Sequence, residues 1–339
     1  MGAIRYPAAL LMAGILLLAW AGEAWADCPV PASIGTQPYN NEVISSFGQV
    51  STNSLGGDGP SLPSLSQGYP GIQKVSPVFP PTILKAIGFL ESRWRQFGAA
   101  PGSSGPTIVN SSCAYGMMQI VSGMSGSSQF DPPRVASEYR YNIGTGALIL
   151  LNKWNYLAGL GSTFGNNDPA IMEDWYFAVW AYNRGDWPNN PNNPRYDPNR
   201  NAYWNPYDPS SYPASAYPYQ ELIWGYVANP PTGPDGQPLW PSVRLTFPDP
   251  SVLGYDFTPF YSPAHFDDPQ PSHRDTAQVP PAATPVPTST PTPIPAPTAT
   301  PTPTPRPTAT PTPRPTATPA PDLHLPRRLF FPLLLYGAV

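Results

Sequence analysis

The sequence predicts a mainly α-helical domain with long irregular loops, followed by a disordered Pro/Thr-rich stalk. Three observations carry this reading. Apolar residues recur at helical steps of three and four in separate stretches. Between those stretches the chain is rich in Gly, Ser, Asn and Pro and shows no sustained period. Residues 280–321 form a low-complexity Thr-Pro repeat, in a chain where 53 of 339 residues are proline. Such a repeat cannot bury a core and prefers extended polyproline II.

Taken in order, residues 1–26 read as a signal peptide. Arg5 supplies the positive start, Ala8 to Trp20 the apolar run, and Ala24-Trp25-Ala26 an A-x-A cleavage site. The run is short of the ~20 residues a membrane-spanning helix needs. The expected mature chain begins at Asp27. Its two cysteines, Cys28 and Cys113, are expected to pair as one disulfide, as suits an exported chain. Two separate buried thiols, or a lipidated Cys28, are the other outcomes. Residues 27–75 read as an extended, loop-rich arm.

The first helical pattern is Thr82 to Phe97. Ile83, Ile87, Leu90, Trp94 and Phe97 share one stripe, Thr82 can act as N-cap, and Gly98 follows the last apolar residue. Glu91 sits on the flank of this stripe, where a carboxylate can be partly buried with a raised pKa. The plainer reading pairs it with Arg95 one turn on, facing water. A small-residue loop then leads to Cys113-Ala114-Tyr115-Gly116-Met117-Met118-Gln119-Ile120, where the methionines read, taken alone, as core filler.

Tyr141 to Leu157 is apolar nearly all round, as the buried centre of a bundle would be. Asp168-Pro169 reads as a helix start, with Ile171, Trp175, Ala178, Val179 and Tyr182 lining one face up to Asn183 and Gly185. Trp187, Tyr196, Tyr203, Trp204, Tyr207 and Tyr212 either offer flat faces to sugar rings or pin a long loop. A last helix fits Pro218 to Ala228. Residues 76–231 are the expected folded helical domain, and 232–279 an irregular wrapping tail. Residues 322–339 are apolar but short and carry Pro332. They read as a peptide for cell-surface attachment or as a disordered end.

Charged residues are 11% of the chain and the net charge is −4, so no basic patch points to nucleic acid. His265, His273 and His324 are scattered, without metal-ligand spacing, and no metal or cofactor is expected.

Four blocks stand in order: Glu91-Ser92; Gly116-Met117-Met118-Gln119-Ile120; Tyr141-Asn142-Ile143 with Gly146; and Ala181-Tyr182-Asn183 with Gly185. As an ordered set they resemble the soluble lytic transglycosylase family, whose catalytic domain is a goose-lysozyme-like α-fold. The resemblance covers about residues 76–231. Met117 stands where leucine is usual, and Arg184 where a small residue is common.

The resemblance implies that Glu91 is the single catalytic acid/base of an enzyme acting on peptidoglycan glycan strands. It implies that Met118 and Gln119 line the glycan groove, that Tyr182 supports the glutamate, that Asn183 binds sugar, and that Ser92 helps position substrate. Leu90, Met118 and Tyr182 are then the apolar wall that keeps the acid protonated. No second carboxylate occurs in the matched blocks, which favours attack by the substrate's own C6 hydroxyl over water. A hydrolytic muramidase would draw its second carboxylate from outside them, with Asp131, Glu138 or Asp174 nearest. A non-catalytic glycan-binding surface protein would keep the groove but need no buried acid.

Overall fold

The computed structural model describes residues 28–185, 187–253, 265–266 and 271–275. All lie within the unit Met1–Val279. The expected signal peptide, the Thr-Pro stalk and the apolar segment 322–339 fall outside the described residues.

Short strand β1 (Ile34–Thr36) leads into helix α1 (Asn40–Ser51). The segment 27–75 is therefore not an extended arm throughout. Val43, Phe47 and Val50 recur at i, i+4 and i+7, and that face of α1 is fully buried. Its N-terminus is closed by a Glu42 carboxylate that accepts the Tyr39 N–H at 2.8 Å. A hairpin follows, β2 (Leu65–Gln67) against β3 (Gln73–Val75), in the register Leu65↔Val75, Ser66↔Lys74, Gln67↔Gln73.

Helix α2 spans Pro81–Ser92, four turns shortened to little more than three relative to the expected Thr82–Phe97. It starts one residue early, with Pro81 at the first position, where its missing N–H costs nothing. Thr82 is not the N-cap; its own N–H is bound by Asp275 Oδ2 at 2.8 Å. The helix ends because Arg93 and Trp94 both adopt left-handed backbone, with φ of 56° and 60°. Trp94 is thereby folded back onto its own helix. Its indole N–H donates to the Lys85 carbonyl, and its ring packs 5.6 Å from Phe47, 5.8 Å from Phe89 and 5.6 Å from Trp240. Two such residues cost about 1–2 kcal/mol each, offset by burying an indole.

Strand β4 (Ser104–Pro106) pairs antiparallel with β1. Helix α3 (Pro132–Ser137) is one short element before α4 (Tyr139–Leu160), the longest helix among the described residues. As its composition requires, α4 is central: α1, α3, α5 and β2 all pack against it. Strand β5 (Thr163–Phe164) and a 3-10 turn at Glu173–Trp175 precede α5 (Tyr176–Asn183). Asp168-Pro169 does not start that helix; Asp168 caps a local turn, accepting the Ala170 N–H at 3.0 Å. Helix α6 (Tyr219–Ala228) forms where a last helix was expected, and it lies against α2 and α5.

Among the described residues after α6, the chain is irregular apart from α7 (Pro250–Leu253) and β6 (His265–Phe266), which pairs parallel with β5. It is nonetheless part of the fold: Trp240, Leu245 and Leu253 are buried. Residues 273–275 form a clasp. His273 Nδ1 lies 2.6 Å from the fully buried Glu173, Arg274 pairs with Asp168 at 2.8 Å, and Asp275 caps α2. Cys28 and Cys113 are joined by a disulfide, and beside it the Tyr115 hydroxyl both accepts from Val30 N–H and donates to Val30 O.

Candidate functional site

Glu91 occupies the last turn of α2, where α6 crosses it. The left-handed turn at Arg93–Trp94 sends Arg95 off the helix axis and into solvent, so the i,i+4 pair with Arg95 does not form. Among the described residues Glu91 makes no ion pair. Its partner is a phenol: Tyr219 donates to Glu91 Oε1 at 2.6 Å.

The residue keeps some solvent contact while its carboxyl is packed in by protein atoms. Burial pushes the Glu91 pKa up to about 7, and the hydrogen bond from Tyr219 partly opposes this by stabilising the carboxylate. The last turn of a helix also carries the negative end of the dipole, which disfavours the anion further. The same neighbourhood is felt by the phenols. Tyr182 and Tyr219 are raised well above the ordinary tyrosine value, first by burial and then by the charge of Glu91. A carboxylic acid poised near neutrality between two un-ionised phenols can both give and take a proton at working pH.

The floor of the site is the segment Gly116–Gln119, held by two buried amides. Gln96 Oε1 accepts the Met117 N–H at 3.0 Å and its Nε2 donates to the carbonyls of Val135 and Ala136. Asn142 Oδ1 accepts the Met118 N–H at 2.8 Å and its Nδ2 donates to the carbonyls of Tyr115 and Val135. Both amides are fully buried. Gly116 lies between them with φ of 64°, and a Cβ there would sit 2.2 Å from Gln96 Oε1 and 2.6 Å from Asn142 Nδ2. The position therefore tolerates only glycine, for backbone and for space.

The residues drawn from the matched blocks fall into two groups. Glu91, Ser92, Met118 and Tyr182 are brought together. Ser92 Oγ donates to the Met117 carbonyl at 2.7 Å, and the Tyr182 hydroxyl donates to the Met118 carbonyl at 3.0 Å. Ser92 thus ties the helix end to the floor. Tyr182 does the same for α5 and does not hydrogen-bond the glutamate itself; Tyr219 has that part. Met118 does not line a groove with its side chain. It is fully buried, wedged against Gly146 and Gly88, and contributes its backbone. Gln119 faces outward and is held by Asn110 and the Gly116 carbonyl. Asn183 is exposed and accepts from Asn189 Nδ2 at 3.1 Å. Neither is hydrogen-bonded to Glu91.

Tyr219 was not singled out by sequence reasoning, nor were Gln96 and Asn142 given roles. The signal for Tyr219 was its place at the start of an apolar helix after Pro218; for Asn142 it was a polar residue inside an otherwise apolar face. Of the aromatic residues after α5, most act as pins. Tyr196 donates to the Pro188 carbonyl, Tyr203 to the Leu245 carbonyl, and Trp204 packs edge-on to Tyr226. Tyr207 is more than half exposed.

Two of the three carboxylates considered as partners for Glu91, those of Glu138 and Asp174, are engaged elsewhere. Glu138 takes a two-pronged pair from Arg134, and Asp174 is buried and accepts the Asp168 N–H at 2.7 Å. Asp131 precedes α3, its carbonyl accepting the Val135 N–H. Among the described residues no group of His, Cys, Asp and Glu is arranged to hold a metal ion. No protein-family model matches the chain, and no curated protein and no solved structure matches it either.

Proposed function

We propose that this chain is an exported peptidoglycan lytic transglycosylase with a goose-lysozyme-like α-fold. It cleaves the β-1,4 bond between N-acetylmuramic acid and N-acetylglucosamine and leaves 1,6-anhydromuramoyl ends. The observation that carries the reading is the packed-in Glu91 carboxyl at the end of α2, met at 2.6 Å by the Tyr219 phenol; burial there pushes its pKa up to about 7. The ordered blocks of the sequence supply the substrate class.

In this mechanism protonated Glu91 gives its proton to the glycosidic oxygen as the bond to C1 of the muramoyl unit breaks. Positive charge develops at C1 and the ring oxygen. The C6 hydroxyl of the same sugar then attacks C1, and the Glu91 carboxylate takes that hydroxyl's proton. Glu91 ends as it began, and no water is consumed. Tyr219 steadies the carboxylate between the two proton transfers, since its hydrogen bond favours the anion. Ser92, Tyr182, Gln96 and Asn142 hold the helix end and the floor in register, which is where most of the precision of such a site resides.

Mass analysis of peptidoglycan digested by the protein tests this. Anhydro ends, lighter by one water than hydrolysed ends, support it. Reducing ends move the assignment to a hydrolytic muramidase with Glu91 still as acid. No products, with retained binding, leaves a glycan-binding surface protein.

A further inference from the structure

We infer that the cleft between the β2–β3 hairpin and the loop after β5 is a second carbohydrate-binding site, taking one neutral pyranoside ring. The cleft has a volume of about 270 Å³ and is lined by Gln67, Gly68, Tyr69, Gln73, Asn166 and Asp168. It shares no residue with the site around Glu91 and does not rest on the role proposed there. Its size lies just below the roughly 300–1,000 Å³ range of ligand pockets, which suits a single ring.

The chemistry of the lining selects the ligand. Gln67 and Gln73 are directly opposed across the hairpin, so both amides project from the same face. With Asn166 they bring three carboxamides to the lining, a group that carries two N–H donors and an acceptor oxygen and so suits hydroxyl and acetamido groups. Tyr69 is 43% exposed and adds an aromatic face of the kind that meets the C–H side of a sugar ring. The lining's one charge is already balanced. Asp168 is paired with Arg274 at 2.8 Å and accepts from Gln67 Nε2 at 3.2 Å. A cation or an anion would meet no uncompensated partner there, whereas a neutral polyol would.

The walls are also held in place before any ligand arrives. Gly68 N–H donates to the Asn167 carbonyl at 3.1 Å, tying the hairpin to the loop. A Cβ on Gly68 would lie 2.5 Å from the Gly71 carbonyl oxygen, and its φ is 93°. Asn155 and Trp154 fix the middle of β2 to α4, through the Ser66 N–H and the Ser66 carbonyl. A site set on such supports loses little freedom on binding.

The test uses the full chain and methyl N-acetyl-β-D-glucosaminide, a monosaccharide that offers no bond for cleavage between sugars. Amide hydrogen exchange is followed with and without the sugar at millimolar concentration. Slowed exchange in segments 64–75 and 163–168 is expected. Tyr69→Ala and Gln73→Ala, both at exposed positions, should each weaken the sugar's binding at these segments by at least about tenfold. They should leave turnover at the Glu91 site unchanged. The inference is overturned if the sugar slows exchange only elsewhere, if both variants bind as the wild type does, or if calcium chloride alone produces the same protection.

Discussion

Tyr219, the first residue of α6, reaches Glu91, in the last turn of α2, at 2.6 Å. One helix thus ends where another begins, and the acid of the first is held by the phenol of the second. The contact depends on two helices separated by more than a hundred residues of chain, so it reports on the packing of the whole domain. Its sign is informative: burial favours the protonated acid and the phenol favours the carboxylate. The balance leaves Glu91 able to change state near pH 7.

Glu91→Gln tests the acid directly. The amide keeps an oxygen that can accept from Tyr219 but has no proton to deliver. Turnover on peptidoglycan should fall by about 10²–10⁴-fold, with binding retained. Stability gives a second reading with a definite sign. The unfolded carboxyl ionises near 4.5 and the folded one near 7, so the folded state holds the extra proton between them. Wild-type stability should therefore fall as pH rises from about 4.5 to 7, by about 3 kcal/mol at most, and level off above. The variant should lack that decline and be the more stable protein at pH 8. Denaturant midpoints measured at pH 4.5 and pH 8 for both proteins decide it; parallel behaviour would contradict a buried acid.

Tyr219→Phe keeps the ring and removes only the hydroxyl. Because that hydroxyl lowers the Glu91 pKa, its loss should raise it. The alkaline limb of the pH–rate profile should move to higher pH, and the maximal rate should drop because the carboxylate formed mid-reaction loses its donor. A merely structural tyrosine would lower the amount of folded protein and leave the limb in place. An unshifted limb would therefore remove Tyr219 from the mechanism.

How far this was legible in the sequence varies from residue to residue. The start of α2 and the place of Glu91 on its flank follow from Pro80-Pro81 and from Ile83 and Ile87. Its end does not, because Trp94 and Phe97 fall at helical spacing yet are buried after a chain reversal, Trp94 against Phe47, Phe89 and Trp240 and Phe97 over Gly35 of β1. Helix α1 was missed for the opposite reason. Val43, Phe47 and Val50 carry the right period, but they stand among Asn, Ser and Gly residues that argue for a loop. Met118 illustrates a limit of motif reading: the segment is where the motif implies, but the side chain points into the core and the backbone carbonyl meets Tyr182. Local sequence places Tyr219 at the start of an apolar helix after Pro218, but nothing near it in the chain refers to Glu91.

The burial of Met118 makes Gly146 a sensitive position. An added Cβ would lie 2.7 to 2.9 Å from Met118 Cγ, Cε and Cβ. Those atoms include the root of the side chain, so the methionine cannot simply swing away. Gly146→Ala should destabilise the domain by about 1–3 kcal/mol, as overpacking does. It should also disturb the floor that Tyr182 and Ser92 hold. Met118→Ala in the same chain opens space at the contact. The double variant should thus be less destabilised than the sum of the two singles. Strict additivity in a double-mutant cycle would show that the two positions do not press on each other.

Asp275 supports the site from furthest away in sequence. It is buried, accepts the Thr82 N–H at 2.8 Å, and lies close enough to buried Lys85 to offset part of the desolvation that lowers that lysine's pKa. The N-terminus of α2 has no side-chain cap of its own, so this carboxylate from the tail supplies one. Asp275→Ala should cost about 1–3 kcal/mol, the range for a lost cap and an unpaired buried N–H. Asp275→Asn keeps the acceptor and should recover part of that. A chain ending at Val279 keeps the clasp and should match the full protein in stability and turnover. A chain ending at Gln270 loses His273, Arg274 and Asp275 together, and should be at least as destabilised as Asp275→Ala, with loss of turnover as α2 loosens around Glu91. Thermal midpoints and peptidoglycan turnover for the four variants and the full protein check the order. Equal stability of the two truncated chains would mean that residues 271–275 are not part of the working fold.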